Sequence, residues 1–370
     1  MSRGILQESF MKKLLAGALA VVAFCSCTRQ SVKEQTRVIT DHAGREIAVP
    51  HEITRIVITS PWPLPSYFCI FNSEAKKLVG IPPASMAAAR YSLLPVVSPD
   101  ILHASTSFLK GTEINSEELL KLNPDVVFYS SSNTAQYDQC SAAGIPAIGF
   151  EGSAPDGDVI ATFEHRITLL GEVLGLGNKA KEIIDYAYAV HDEIESRIAA
   201  VSQREKPRAL ILYGYRNGKI ETSGNNSFGQ YWIDATGGEN AAKEIQGFSE
   251  INMEQVYAWN PDIIYITNFT PYQPEDFYNN SIAGHDWSAV KAVREGKVYK
   301  FPLGMYRWFP PSSDTPLVLK WLATHHQPKL FSDIDMEAET KAYYKRFYGV
   351  ELRDEDVAMI FAPAREAADY

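Results

Sequence analysis

Two sets of aromatic and cationic residues stand where a folded chain could turn them on one ligand. Trp62, Arg90, Tyr91, Lys110, Ser130, Ser131, Ser132 and Asn133 fall in polar stretches of the first half. Tyr215, Arg216, Asn225, Asn226, Asn268, Tyr272 and the run Met305-Tyr306-Arg307-Trp308 do so in the second. Rings beside guanidinium groups suit a large, flat, partly anionic ligand: the rings cover its faces, and arginine clamps its carboxylates or oxygen donors. A hydrated metal ion cannot use that apolar area and would be repelled by Arg90, Arg216 and Arg307. The hydroxyls and amides of Ser130 to Asn133 would suit a small oxyanion such as molybdate or tungstate instead. The plainer reading of each aromatic taken singly is core or rim packing.

Other chemistries find less support. The eight histidines are scattered. His42 and His51 flank an early hairpin, His103 and His285 are loop residues, and His165 lies in a helix. His191 pairs along a helix surface with Glu195, and His325-His326 end a helix, where a cation is favoured. No set with metal-ligand spacing emerges. GxSxG, P-loop, HExxH and CxxC motifs are absent, so no catalytic residue, metal site or cofactor is assigned.

The elements that must position the candidates are legible. Glu113-Ile114-Asn115-Ser116-Glu117, followed by Asn123-Pro124-Asp125 and an apolar run, returns at a constant offset as Glu250-Ile251-Asn252-Met253-Glu254, then Asn260-Pro261-Asp262 and another apolar run. In each copy the first asparagine caps a helix, Pro-Asp turns the chain, and the apolar run makes a buried parallel strand. A repeated helix-strand unit predicts two α/β lobes of related, Rossmann-like design. In such sheets ligands meet the loops at the carboxyl ends of the strands, so the candidates would line a cleft between the lobes. Between the halves, Asn178 to Lys206 lacks proline and glycine. Its apolar residues Ala180, Ile183, Ile184, Ala187, Val190, Ile194, Ile198 and Val201 recur at helical spacing. About 26 residues at ~1.5 Å each give one rod of roughly 39 Å, stopped by Pro207. The predicted organisation is therefore residues 1–36 as signal and tether, 37–177 as the first lobe, 178–206 as the joining helix and 207–370 as the second lobe.

With 370 residues and 45% hydrophobic composition, the chain can build two sizeable cores. A net charge of -10 without a basic block argues against nucleic-acid binding. Met11-Lys12-Lys13, the apolar run Leu14 to Phe24, and Cys25-Ser26-Cys27 before a polar stretch form an export signal, with Met11 the better start. Of the four cysteines, Cys69 and Cys140 remain in the folded part and are expected to be buried free thiols.

Taken in order, DHAGREIAVP, RIVITSP, LVGI, EINSEELLKLNPDVV, GIPAI, the lone helix, TGGEN, NPDII, WSAVKAVREGKVYKFP and WLATHHQPKLF resemble the substrate-binding proteins of ABC importers, in the class whose lobes are joined by a single helix. The resemblance implies a monomeric, extracytoplasmic binder that delivers its ligand to permease and ATPase subunits. It implies an iron complex (siderophore or haem) or a corrinoid as ligand, with molybdate, tungstate or a metal ion as alternatives. It also implies a periplasmic or cell-surface location, and the Cys25-Ser26-Cys27 stretch resembles a lipobox with Cys27 as lipid anchor. Members commonly dock their permease through a glutamate on each lobe; here the matching places hold Ser66 or Tyr67 and Gln230 or Tyr231. From other classes, a chelatase-like enzyme on two α/β lobes and a purely structural surface lipoprotein are the competing readings.

Overall fold

The helix-to-strand repeat builds the same piece of sheet twice. In the computed structural model, which describes residues 36–71 and 75–368, Asn115 and Asn252 each cap a helix, Ser116–Lys121 and Met253–Trp259, by accepting from the backbone of Glu118 and Gln255. The apolar run after each helix becomes a buried strand with a parallel neighbour on either side.

In chain order the strands are β1 (Thr36–Thr40), β2 (Glu46–Pro50), β3 (Ile56–Ile58), β4 (Leu78–Gly80), β5 (Leu109–Lys110), β6 (Glu113–Ile114), β7 (Val126–Ser130) and β8 (Ala147–Phe150). The second half holds β9 (Arg208–Arg216), β10 (Lys219–Ser223), β11 (Glu239–Asn240), β12 (Phe248–Ile251), β13 (Ile263–Ile266) and β14 (Val298–Lys300). The first sheet is parallel, in the order β4-β3-β7-β8. The second runs β12-β10-β9-β13-β14 with β11 also on β9; β9, β11, β13 and β14 are parallel, and β10 is antiparallel to both its neighbours, β9 and β12. The repeat strands β7 and β13 thus occupy equivalent places, beside β3 and β9, the first strand in chain order of each sheet.

The sequence between the sheets forms the helix Gly177–Ile198, ended earlier than its apolar pattern suggests. At 22 residues it is about 33 Å long. The reason is local: Ser202 and Glu205 form a reciprocal capping box that opens a short 3-10 turn, Gln203–Glu205. That is a start signal, and it competes with continuation of the preceding helix. Ala180, Ile183, Ala187, Val190 and Ile194 are buried against the helices Val159–Leu174 and Thr315–His326. One hydrophobic cluster runs from Ile39 in the first half to Ile360 in the second through these three helices. Smaller clusters fill the other face of each sheet. Cys69 and Cys140 are buried and free, and burial pushes their thiols up to about 12 and about 11. The export signal and Cys27 lie outside the described residues. Among the described residues no helix is long and apolar enough to cross a membrane.

The halves meet through main chain. Gly157 has φ +71°, and a Cβ there would overlap the carbonyl of Ser227 at the start of the helix Phe228–Asp234. Gly157→Ala therefore combines left-handed strain with overpacking against backbone, an expected loss of about 2 to 4 kcal/mol. A chemical-denaturation midpoint unchanged from wild type would show that the two halves do not approach this closely.

A second constraint is the carboxylate of Asp314, fully buried at the foot of the loop after β14. It accepts from Met305 N at 2.7 Å, Trp308 Nε1 at 3.0 Å, Tyr344 Oη at 3.1 Å and Tyr348 Oη at 3.2 Å. Gly304, at φ +55°, leaves room for that carboxylate where a Cβ would strike it. Burial pushes Asp314 up to about 6, against the hydrogen bonds, which lower it. An unfolded aspartate releases its proton near ~3.9. Between that value and about 6 the folded chain keeps a proton the unfolded chain has lost, so the contribution of Asp314 to stability falls as pH rises through this window and is flat above it. The gap of roughly two pH units corresponds to about 3 kcal/mol. The unfolding free energy of wild type minus that of Asp314→Asn is expected to drop by about 2 kcal/mol of this from pH 4 to pH 6.5. A difference independent of pH would refute the assignment.

Candidate functional site

The carboxyl ends of the parallel strands in both sheets carry most of the candidate residues. In the first half, Ser130 at the end of β7 donates its N–H to Ser60 Oγ in the loop after β3, at 2.8 Å. Ser130 and Ser132 share a hydroxyl hydrogen bond of 3.0 Å. The Trp62 carbonyl accepts from Ser85 Oγ in the helix Pro83–Ala89, which follows β4. Arg90 caps the end of that helix and is exposed, as are Trp62 at 38% and Tyr91 at 37%. Leu93 N then donates to Gly304 O at 2.9 Å, so the loop carrying Arg90 and Tyr91 abuts the loop carrying Tyr306 and Arg307.

In the second half two guanidinium groups converge on Phe269, in the loop after β13. Arg216, at the end of β9, donates through Nε and Nη2 to Phe269 O at 3.2 and 3.1 Å. Arg307, in the loop after β14, sets its guanidinium 4.7 Å from the centre of the Phe269 ring and 5.8 Å from that of Tyr306. Both groups reach further oxygens: Arg216 Nη2 donates to Ala368 O at 2.7 Å and Arg307 Nη2 to Ala367 O at 2.8 Å. Around them lies an aromatic cluster that includes Tyr213, Phe228, Phe248 and Phe309, in which Tyr213 stands 4.5 Å from Phe248 and 5.3 Å from Phe269. Phe248 keeps 44% of its surface exposed. Tyr213, Arg216, Lys219, Glu221 and Phe269 line a cavity of about 300 Å³.

Other candidates serve the scaffold. Trp308 is fully buried between Trp321 and Phe361, with its N–H on Asp314. Tyr215 is buried among Tyr272, Phe277 and Trp287, with its hydroxyl on His285. Tyr306 is buried as well. Asn268 spends its amide on the carbonyls of Phe301 and Pro302, and Asn133 caps the helix Thr134–Ala142. Asn226 donates to Gln246 and opens on a separate hollow with His191, Gln230 and Tyr231. Lys110 is exposed on β5, in a two-stranded ribbon outside both sheets. Sequence reading missed Tyr213, Phe248, Phe269 and Phe309: Tyr213 ends an apolar run and looks like core, the three phenylalanines are single residues in unrelated stretches, and only the fold gathers them.

Larger openings do not coincide with the strand-end arginines. One of about 520 Å³, lined by Tyr299, Lys300, Trp321, His325 and Arg365, holds an amine whose burial brings it down to about 7. Lys300 Nζ is already bonded to the carbonyls of Thr270 and Tyr272. His325 and His326 stand in the last turn of their helix, but burial lowers both, His326 to about 3, so they are neutral there and not the helix-end cations expected. Among the described residues, His191, Asp192 and Glu195 could converge on a metal ion, yet all three come from one helix and two are exposed.

Comparison with known proteins identifies the family and the fold. A family model described as periplasmic binding protein matches residues 72–303. A periplasmic solute binding protein from Veillonella parvula, solved by crystallography, has 32% sequence identity, covers 88% of this chain and 97% of its own, and superposes with a TM-score of 0.80. The molybdate-binding protein MolA of Haemophilus influenzae is 24% identical over 87% of this chain and 93% of its own, and its molybdate-bound structure superposes with a TM-score of 0.73. The Fe(3+)-citrate-binding protein YfmC of Bacillus subtilis is 22% identical over 79% of this chain and 88% of its own. With a family match across most of the folded residues and a two-sheet α/β fold shared with these structures, this chain belongs to the periplasmic binding protein family, the extracytoplasmic solute-binding components of ABC importers.

Proposed function

We propose that this chain captures a compact anion rich in oxygen donors, a carboxylate-chelated ferric ion foremost, and delivers it to the permease and ATPase subunits of an importer. The observation that carries this reading is the convergence of Arg216 and Arg307 beside Phe269 at the strand ends of the second half. Guanidinium forks match carboxylate oxygens two at a time and are the strongest neutralisers of such a ligand short of a metal. Residues 37–177 and 207–370 act as the two lobes, with Trp62, Arg90 and Tyr91 closing the site from the first. A haem or corrinoid fits less well than the sequence suggests, because Tyr215, Tyr306 and Trp308 are buried and offer no face to a macrocycle.

The second reading is molybdate or tungstate, favoured by the likeness to MolA along nearly the whole chain. It uses the same arginines and asks for fewer rings. A chelatase-like enzyme would need histidine and carboxylate in the cleft, whereas His191, Asp192 and Glu195 gather on the linking helix. Ser66 and Tyr67 are buried and offer no permease contact.

Calorimetry with ferric citrate, sodium molybdate and haemin tests this assignment. Arg216→Ala removes a charge-assisted contact and is expected to weaken the bound anion by about 1.5 to 3 kcal/mol, roughly 10- to 150-fold. Unaltered binding by the variant, or binding of free Zn²⁺ or Mn²⁺ in place of every anion, would sink the reading. Cys27→Ser is expected to release the protein from the membrane fraction or to block its processing; full retention in that fraction would exclude Cys27 as the anchor.

A further inference from the structure

The chain beyond its last helix, Asp354–Phe361, turns back over the second half toward the arginines of the site. Pro363 O accepts from Gln273 Nε2 at 3.0 Å. The Arg365 guanidinium forks onto Asp276 at 2.5 and 3.0 Å and touches Pro271 O at 3.2 Å. The short turn Arg365–Ala368 then lies against the helix Pro83–Ala89 of the first half, with Ala367 and Ala368 buried. Its last two carbonyl oxygens are those taken by Arg307 and Arg216.

We propose that the turn 365–368 is a built-in occupant of the binding site, seated on Arg216 and Arg307 when no ligand is present and displaced by the anion when one arrives. The inference rests on the proposed reading of those two arginines as ligand contacts. Three features support exchange. A buried guanidinium must have its donors answered, and the carbonyl of Ala367 gives Arg307 an acceptor. A neutral carbonyl is the weaker acceptor, so a carboxylate or oxyanion outcompetes it for the same N–H groups. The anchor of the turn is slight: Arg365 is 48% exposed at its side chain, a setting in which an ion pair contributes little, and the two alanines place no large side chain in a pocket. The turn therefore reduces apparent affinity while holding the site closed to water and to weaker ligands. A turn seated nine-tenths of the time lowers apparent affinity about tenfold.

The test compares the full chain, a chain ending at Ala364, and full-length Arg365→Ala, each titrated with sodium molybdate and ferric citrate by calorimetry. Hydrogen exchange of residues 365–368 is followed in the full chain with and without the same probes. The shortened chain is expected to bind about tenfold tighter and Arg365→Ala to move the same way by less. Amides 365–368 are expected to lose protection when the probe binds. Binding by the full chain with equal or weaker binding by both altered chains overturns this proposal and leaves the proposed function standing, and so does a gain of protection at 365–368. Failure of every chain to bind either probe overturns both. Should the shortened chain fail to fold, Arg365→Ala and the exchange measurement decide.

Discussion

A single buried carboxylate holds the second half of the site in place. Asp314 has no solvent to stabilise its charge, so its four hydrogen-bond donors are the condition on which it can be ionised at all. Those donors come from two separate pieces of chain: Met305 and Trp308 in the loop after β14, and Tyr344 and Tyr348 in the helix Met336–Tyr348. Tying them to one group fixes where the loop runs, and the loop carries Arg307 between Tyr306 and Trp308. Because Trp308 is drawn down to the carboxylate, Arg307 lies against Phe269, at the strand ends.

The common core sets the mechanical character of the molecule. Three helices, Val159–Leu174, Gly177–Ile198 and Thr315–His326, fill the space shared by both sheets, and close packing of that kind transmits displacement and does not absorb it. At Gly157 the halves touch through backbone, where no side chain can give way.

The chemistry at the strand ends also explains how one architecture can accommodate different ligands. Parallel strands bring their loops to one edge, and whichever arginines and aromatics those loops carry define the ligand. Here two arginines lie beside one phenylalanine with a small cavity at hand, an arrangement that favours charge and oxygen donors over a broad apolar face.

By itself the sequence determined the repeated helix-strand unit, the parallel strands β7 and β13, the caps at Asn115 and Asn252, and a long helix as far as Ile198. These depend on neighbours a few residues away, and local periodicity and capping chemistry report such neighbours directly. It also placed Arg216 and Arg307 at strand ends, since a polar loop after an apolar run is a local signal. Only the tertiary structure decided which way the side chains face. In the loop after β14, Tyr306 and Trp308 are inside, as Arg307 itself is, and Tyr215 is inside next to the exposed Arg216, because Asp314, His285 and the aromatic packing lie on that side. Phe269 and Tyr213 became part of the site through pairing of strands far apart in the chain, and the turn at Arg365–Ala368 reached it through partners at Asp276, Arg307 and Arg216. Burial and long-range hydrogen bonding are properties of the packed whole, and no short stretch of sequence encodes them.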